Sequence, residues 1–232
     1  AVPVGELLSD AHVAALAARI DPRRADASPA PVRTLVGGTI YLAVVDAHGN
    51  AVSLIQSNAA GFGSGVLDPA TGVHFQDRGA SFSLTPGHPN LLAPGRRTAH
   101  TLLPGMLFRA GDRRPWVVAG SMGGDIQPQI HAQLVSALVD GGADIASAVA
   151  APRVTVEPEG WLAPPVRVLA DGDLAPGVEA ELRALGHRIE RVGFDGGLGH
   201  EHAIELVDGG PASGGSLAAI ADPRSAGLAA VR

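Results

Sequence analysis

The sequence contains neither cysteine nor lysine, so all 17 of its Lys-or-Arg positions are arginines. Disulfides, thiolate nucleophiles, cysteine-held zinc, Ser–Lys dyads and Schiff-base chemistry are therefore excluded. There is no basic stripe either: the formal net charge is −6 and the arginines are scattered among Asp and Glu, which removes the electrostatic footprint of a nucleic-acid partner. No apolar run reaches the length of a membrane-spanning helix, and the opening Ala1-Val2-Pro3-Val4-Gly5 lacks the charged-then-apolar order of a signal peptide. A soluble segment with no membrane partner is expected. Aromatic residues are scarce at 3%, while 31 Gly and 18 Pro make the chain rich in loops. What remains is ample for a core: with 46% hydrophobic residues over 232 positions, folding can bury roughly 70% of the extended chain's surface.

Ser9 and Asp10 cap a short helix with Val13, Leu16, Ala17 and Ile20 at helical spacing, ended by Asp21-Pro22. From Pro22 to Gly38 the chain is rich in Pro, Ala and Arg and has no period; Gly37-Gly38 then introduces the strand formers Thr39 to Val45. This is the sharpest composition boundary in the sequence, and it divides residues 1–38, a terminal segment and linker, from a domain over 39–232. Residues 46–50 read as a turn into a second strand, Ala51 to Ser57, so a hairpin opens the domain. Short strands are expected at 73–76 and 106–109, and an apolar run at 116–119 stops at Gly120-Ser121-Met122-Gly123-Gly124. A helix follows, with Ile130, Leu134, Ala137 and Leu138 on one face, Asp125 at its N-terminal side and Pro128 in its first turn. Helices at 145–150 and 178–185 and strands at 188–192, 202–207 and 216–221 complete the reading, with no internal repeat.

A threonine directly after Gly-Gly at the head of a strand gains a chemical role if the bond before it is cut. The freed α-amino group, with an ordinary pKa of about 7.7–8.0, takes the proton of the hydroxyl on the same residue, and neither histidine nor lysine is needed. Read locally, Thr39 is an ordinary β-branched strand starter before it is anything else. Gly123-Gly124 sits between a strand and a helix, where unhindered N–H groups and a positive helix end suit an oxyanion, or simply a tight turn.

Seven ordered segments make the resemblance specific. They are Thr39-Ile40-Tyr41-Leu42-Ala43-Val44-Val45-Asp46 with Gly49-Asn50-Ala51-Val52, then Gly61-Phe62-Gly63-Ser64-Gly65, Arg78-Gly79-Ala80-Ser81-Phe82-Ser83, Pro94-Gly95-Arg96-Arg97, Gly120-Ser121-Met122-Gly123-Gly124, Ala151-Pro152-Arg153 and Asp222-Pro223-Arg224. Together they resemble the small subunit of the γ-glutamyltranspeptidase family of N-terminal-nucleophile hydrolases, from about Leu8 to the C-terminus. The resemblance implies an α+β fold, an αββα sandwich of mostly antiparallel sheets between helix layers. It implies cleavage between Gly38 and Thr39, Thr39 as nucleophile, Ser57 as the hydroxyl that orients it, and Gly123 and Gly124 as the oxyanion hole. It places Asn58, Arg78, His100 and Thr101 among the substrate contacts; His100 and Thr101 stand where the family usually has two serines for a substrate carboxylate. No cofactor and no metal is implied. The partners implied are the large-subunit portion of the same precursor and a small acyl amide, with a dimer of heterodimers as a further expectation and a bacterial, cytoplasmic setting favoured over a periplasmic or secreted one.

Ala80 departs from the glutathione-cleaving members, which carry an Asp there for the substrate's α-ammonium; a methyl group cannot make that contact. Asp77-Arg78-Gly79-Ala80-Ser81-Phe82 is instead similar to the branch that includes acylases and small-amide hydrolases, so the acyl group is expected to be γ-glutamyl or a related glutaryl- or oxamate-like one. Arg78 fits a substrate carboxylate, or a structural pair with Asp77. Other signals are weak. Gly61 to Gly65 lacks the Lys of a phosphate loop. His200-Glu201-His202 alternates on a strand and reads as solvated or supporting residues, and His74, His88 and His131 have no Ser or Asp at motif spacing. The alternative left open is an uncleaved, non-catalytic homologue acting as a binding protein.

Overall fold

The computed structural model describes residues 3–24, 38–160, 163–193 and 197–231, with side chains omitted at 158–160 and 163–166. The linker reading over 25–37 lies outside the described residues. Before it stand two short helices, α1 (Val4–Leu7) and α2 (Asp10–Ala17); Ser9 caps α2, its side chain accepting from His12 N. The helix ends before Ile20, and neither helix has a buried residue: Val13 and Leu16 are exposed.

The hairpin reading holds over its whole length. β1 (Thr39–Val45) and β2 (Ala51–Ser57) pair antiparallel with Thr39 opposite Ser57, and Asp46 closes the turn by accepting from the backbone N–H groups of His48 and Asn50. Alternation then sorts the side chains. Thr39, Tyr41, Ser53, Ile55 and Ser57 face inward, while Ile40, Leu42, Val44, Val52 and Leu54 face outward and are exposed.

The inner face packs on a second sheet in the order β3 (Gly105–Leu107), β4 (Val117–Met122), β8 (His200–Val207) and β9 (Ser216–Ile220), antiparallel throughout. β4 does not stop at Gly120 as expected. It continues to Met122, because Gly120, Ser121 and Met122 pair with His202, Glu201 and His200 of β8; the missing Cβ of Gly120 leaves room for the Tyr41 ring, which a Cβ there would overlap. The far face of this sheet carries α3 (Gln127–Val139) and α4 (Ile145–Ala150), and Val117, Ala119, Leu134, Leu138, Ile145, Val149 and Ala203 make the dry core between them. Helix layer, sheet and hairpin sheet are thus the α+β sandwich expected.

A third sheet orders β5 (Val154–Gly160), β6 (Ala163–Asp171) and β7 (Ile189–Val192), with α5 (Pro176–Ala184) making the crossover between parallel β6 and β7. α3 grips its edge as a strand would: the amides of Gln129 and Gln133 exchange hydrogen bonds with both the N–H and C=O of Val156 and Val154. The expected strand at 73–76 does not form. Only a single bridge, His74 to Leu67, is made there.

The segments Ala151-Pro152-Arg153 and Asp222-Pro223-Arg224 close the fold. Arg153 pairs with Asp222 at 2.7 Å, and Arg224 with Asp171 at 2.6 Å and Asp222 at 3.2 Å. Spare guanidinium N–H groups donate to the carbonyls of Val149, Ala151 and Gly199. All four side chains are buried, and of their polar atoms only Asp171 Oδ1 has no partner among the described residues. Asp222 is held below the usual carboxylate range: burial pushes it up, but the Arg153 charge and the N–H groups of Arg224 and Glu201 outweigh that.

Candidate active site

Thr39 Oγ1 donates to Ser57 Oγ at 2.8 Å, and Ser57 Oγ also accepts from Ala59 N at 2.9 Å. The second bond helps to hold Ala59 at φ 73, a left-handed conformation that a non-glycine residue adopts only when its surroundings enforce it. The corner after Ser57 is fixed further by Asp77, whose N–H donates to Asn58 O at 3.1 Å and whose Oδ1 accepts from Ala60 N at 3.0 Å. Asp77 is thereby occupied and does not pair with Arg78.

Two contacts orient the hairpin on the sheet. Tyr41 lies on Gly120, and the hairpin turn at Gly49 meets Ala212 in the β8–β9 connection, where an added Cβ would stand 3.6 Å from the Ala212 methyl. β8 and β9 join at the end where β4 begins. The head of β1 and the tail of β4 therefore lie at the opposite end together, Thr39 two residues before Tyr41 and Gly123 three residues after Gly120. Gly123 has φ 151 and Gly124 φ 57, conformations that favour glycine, and a Cβ on Gly123 would press on Ile130 and Ile126. Gly124 opens a short 3-10 turn, Gly124–Ile126, that leads into α3, and the first N–H groups of such a turn have no partner within it. Burial, reinforced by the charge of Glu201 and opposed by the Ser53 hydrogen bond, pushes the Tyr41 phenol up to about 12. It is a packing residue under Thr39 and stays neutral.

Arg78 begins a 3-10 turn (Arg78–Ser81) and is only 8% exposed. Its Nη1 donates to Thr101 Oγ1 at 3.1 Å, and its Nη2 is buried with no partner among the described residues. Arg78 thus joins the Ser57–Asp77 corner to the 98–104 loop. That loop is tied in turn to the head of α3, where Leu103 N donates to Gln127 Oε1 at 3.2 Å. Gln127 is fully buried, and its Nε2 also lacks a partner among the described residues. His100 is used locally, Nδ1 accepting from Leu102 N at 3.2 Å, and Asn58 Nδ2 stands 3.5 Å from His74 Nδ1. The predicted residues thus fall into two directly bonded pairs, Thr39 with Ser57 and Arg78 with Thr101, and one glycine turn at the same end.

One participant was missed and one was read only in outline. Gln127 gave no sequence signal beyond its place just after the glycine turn. Of the two readings offered for Glu201, solvated or supporting, the solvated one fails: it is fully buried, because β8 lies between the hairpin on one face and α4 on the other. Its Oε1 lies 3.3 Å from His131 Nδ1. His202 Nδ1 accepts from Asp222 N at 2.9 Å, so the three residues have separate fates. Among the described residues no three His, Asp or Glu side chains converge as a metal ion needs. A cavity of about 380 Å³ lies at the other end, lined by Arg109, Trp116, Glu205 and Asp208, and none of its walls is a predicted site residue.

The gamma-glutamyltranspeptidase family model matches residues 1–232. Oxamate amidohydrolase proenzyme of Klebsiella pneumoniae is 40% identical over 99% of this chain, and a glutathione hydrolase-like proenzyme of Bacillus subtilis 36% over 98%. The chain spans 42% of the length of each. Among solved structures, cephalosporin acylase of Bacillus halodurans superposes with a TM-score of 0.78 at 35% identity, covering 97% of this chain and 39% of that one. A gamma-glutamyltranspeptidase of Pseudomonas nitroreducens superposes at 0.67 with 28% identity, covering 83% of this chain and 98% of that one. The chain belongs to the gamma-glutamyltranspeptidase family.

Proposed function

We propose that this chain is the catalytic portion of a precursor that cleaves between Gly38 and Thr39 and then hydrolyses or transfers the acyl group of a small amide. The observation that carries the reading is the Thr39–Ser57 hydroxyl pair, set at the head of a strand and at the same end of the sandwich as Gly123 and Gly124. After cleavage the Thr39 α-amine accepts the Oγ1 proton as Oγ1 adds to the amide carbon. The carbonyl oxygen becomes an oxyanion that accepts from the Gly123 and Gly124 N–H groups. The carbon–nitrogen bond then breaks, the departing nitrogen takes the proton back from the Thr39 ammonium, and an ester remains on Oγ1. Water, activated by the same amine, adds to the ester and releases the acid; an amine acceptor in its place gives transfer.

The acyl group carries a carboxylate. Arg78 Nη2 and Gln127 Nε2 are both N–H donors without acceptors among the described residues, which favours an anionic ligand, and the Ala80 methyl offers nothing to an ammonium. Oxamate, the substrate in the name of the Klebsiella relative, and glutaryl amides both satisfy that rule. The remainder of the precursor supplies a partner layer: the outward apolar row Ile40, Leu42, Val44, Val52 and Leu54 is of the kind a sheet face buries against another layer.

Incubating the full-length protein and measuring intact mass tests this, followed by a panel of oxamate, glutaryl anilide and γ-glutamyl anilide. A fragment beginning at Thr39 and preference for the carboxylate-only amides are expected. An intact, inactive chain would favour the uncleaved binding homologue.

A further inference from the structure

The 98–104 loop is held at one residue from both sides. Leu103 N donates to Gln127 Oε1, and Leu103 O lies 3.1 Å from His131 Nε2, one helical turn further along the same face of α3. The other ring nitrogen of His131 faces the buried Glu201 carboxylate at 3.3 Å, which is that carboxylate's sole polar contact among the described residues. A carbonyl and a carboxylate both accept. A neutral imidazole has one N–H and can serve only one of them; the imidazolium serves both.

We infer that His131, charged and backed by Glu201, is the positioning residue that fixes the 98–104 loop, and with it the Thr101–Arg78 contact, for a carboxylate-bearing substrate. This rests on the reading of Arg78 and Thr101 as substrate contacts. The groups that face the ring are Glu201 from β8 and, at longer range and opposing, Arg153 from the α4–β5 connection; Tyr41 of β1 stands near Glu201. Burial disfavours the ring's charge, but the Glu201 carboxylate 3.3 Å away and the Leu103 carbonyl outweigh it, so His131 titrates above its ordinary value. For a histidine raised in this way the clamp is complete below the ordinary value and is lost as pH rises through the raised one.

The test uses the full-length protein. KM and kcat for glutaryl anilide are followed against pH, glutarate binding is measured by calorimetry over the same range, and His131→Gln and Glu201→Gln are compared with the native protein. The expected result is that KM and the glutarate Kd rise about tenfold as His131 deprotonates, while kcat does not fall. The rise should disappear in His131→Gln, which cannot titrate, and move to lower pH in Glu201→Gln. A native KM and Kd that stay flat would overturn the proposal without recourse to any variant, and so would a His131→Gln protein that keeps the native pH profile. Intact mass on the same samples reports cleavage before Thr39 separately, so failure of the nucleophile reading and failure of the loop clamp are distinguishable.

Discussion

The cluster of Arg153, Asp171, Asp222 and Arg224 and the group of Thr39, Ser57, Arg78, Thr101 and Gln127 are both polar, and both are built from segments far apart in sequence. They differ in how they are partnered. In the cluster nearly every donor meets an acceptor, two guanidinium groups spanning two carboxylates and the carbonyls of the α4 end. At the Thr39 end two buried N–H groups, Arg78 Nη2 and Gln127 Nε2, have none among the described residues. A native fold seldom leaves buried donors unmet, because each one costs about 1–3 kcal/mol. The network whose donors are met therefore reads as scaffold, and the one whose buried donors are not as a binding site for an acceptor group.

That contrast can be broken or sharpened by substitution. Thr39→Ala should abolish cleavage and lower turnover of glutaryl anilide by about 10⁴-fold or more, read by intact mass and steady-state kinetics, with little change in urea stability. Arg224→Met should do the reverse. It leaves Asp171 and part of Asp222 buried without a cation and is expected to destabilise the protein by about 3–5 kcal/mol in urea titration, while kcat of the folded fraction changes by less than about twofold. The acid limb of stability should respond too. Asp222 is depressed, chiefly by the Arg153 guanidinium, so its contribution is present above the ordinary carboxylate range and is lost as pH falls through its lowered value; thermal melts against pH should lose that limb in Arg153→Met.

Smaller effects separate the members of the site. Gly123→Ala forces a side chain onto a backbone at φ 151 and against Ile130, and should lower kcat by about 100-fold by displacing the oxyanion donors. Arg78→Gln should raise KM for glutaryl anilide by about 10- to 100-fold with a smaller effect on kcat, and should narrow the preference over γ-glutamyl anilide. Ser57→Ala, which removes the acceptor of the neutral hydrogen bond that Thr39 Oγ1 donates, should slow turnover by about tenfold.

The hairpin was legible because its signals are local: alternating β-formers on both sides of Asp46-Ala47-His48-Gly49-Asn50 fix strands, turn and register together. The same locality served α4, which Pro152 stops. β5 and β6 were not seen. Pro158, Pro164 and Pro165 interrupt their patterns, and β5 is satisfied at its edge by Gln129 and Gln133 of a helix, a partnership that no strand periodicity encodes. Thr39, Ser57 and the paired glycines were readable as an ordered set of motifs. The burial of Glu201 was not, since alternation identifies a solvated face only where the strand has one, and β8 has neither face open. The roles of the two Pro-Arg segments were hidden for a further reason: each motif is half of a network whose other half lies some 70 residues away, as the Arg224 to Val149 bond at a separation of 75 illustrates.

The most direct test of the central claim is an N-terminal and intact-mass measurement on the full-length protein after incubation at neutral pH, with Thr39→Ala beside it. The account predicts two polypeptides, the second beginning at Thr39, in the native protein and one unbroken chain in the variant. A native protein that stays whole while turning over the amide, or a Thr39→Ala protein that remains active, would contradict it.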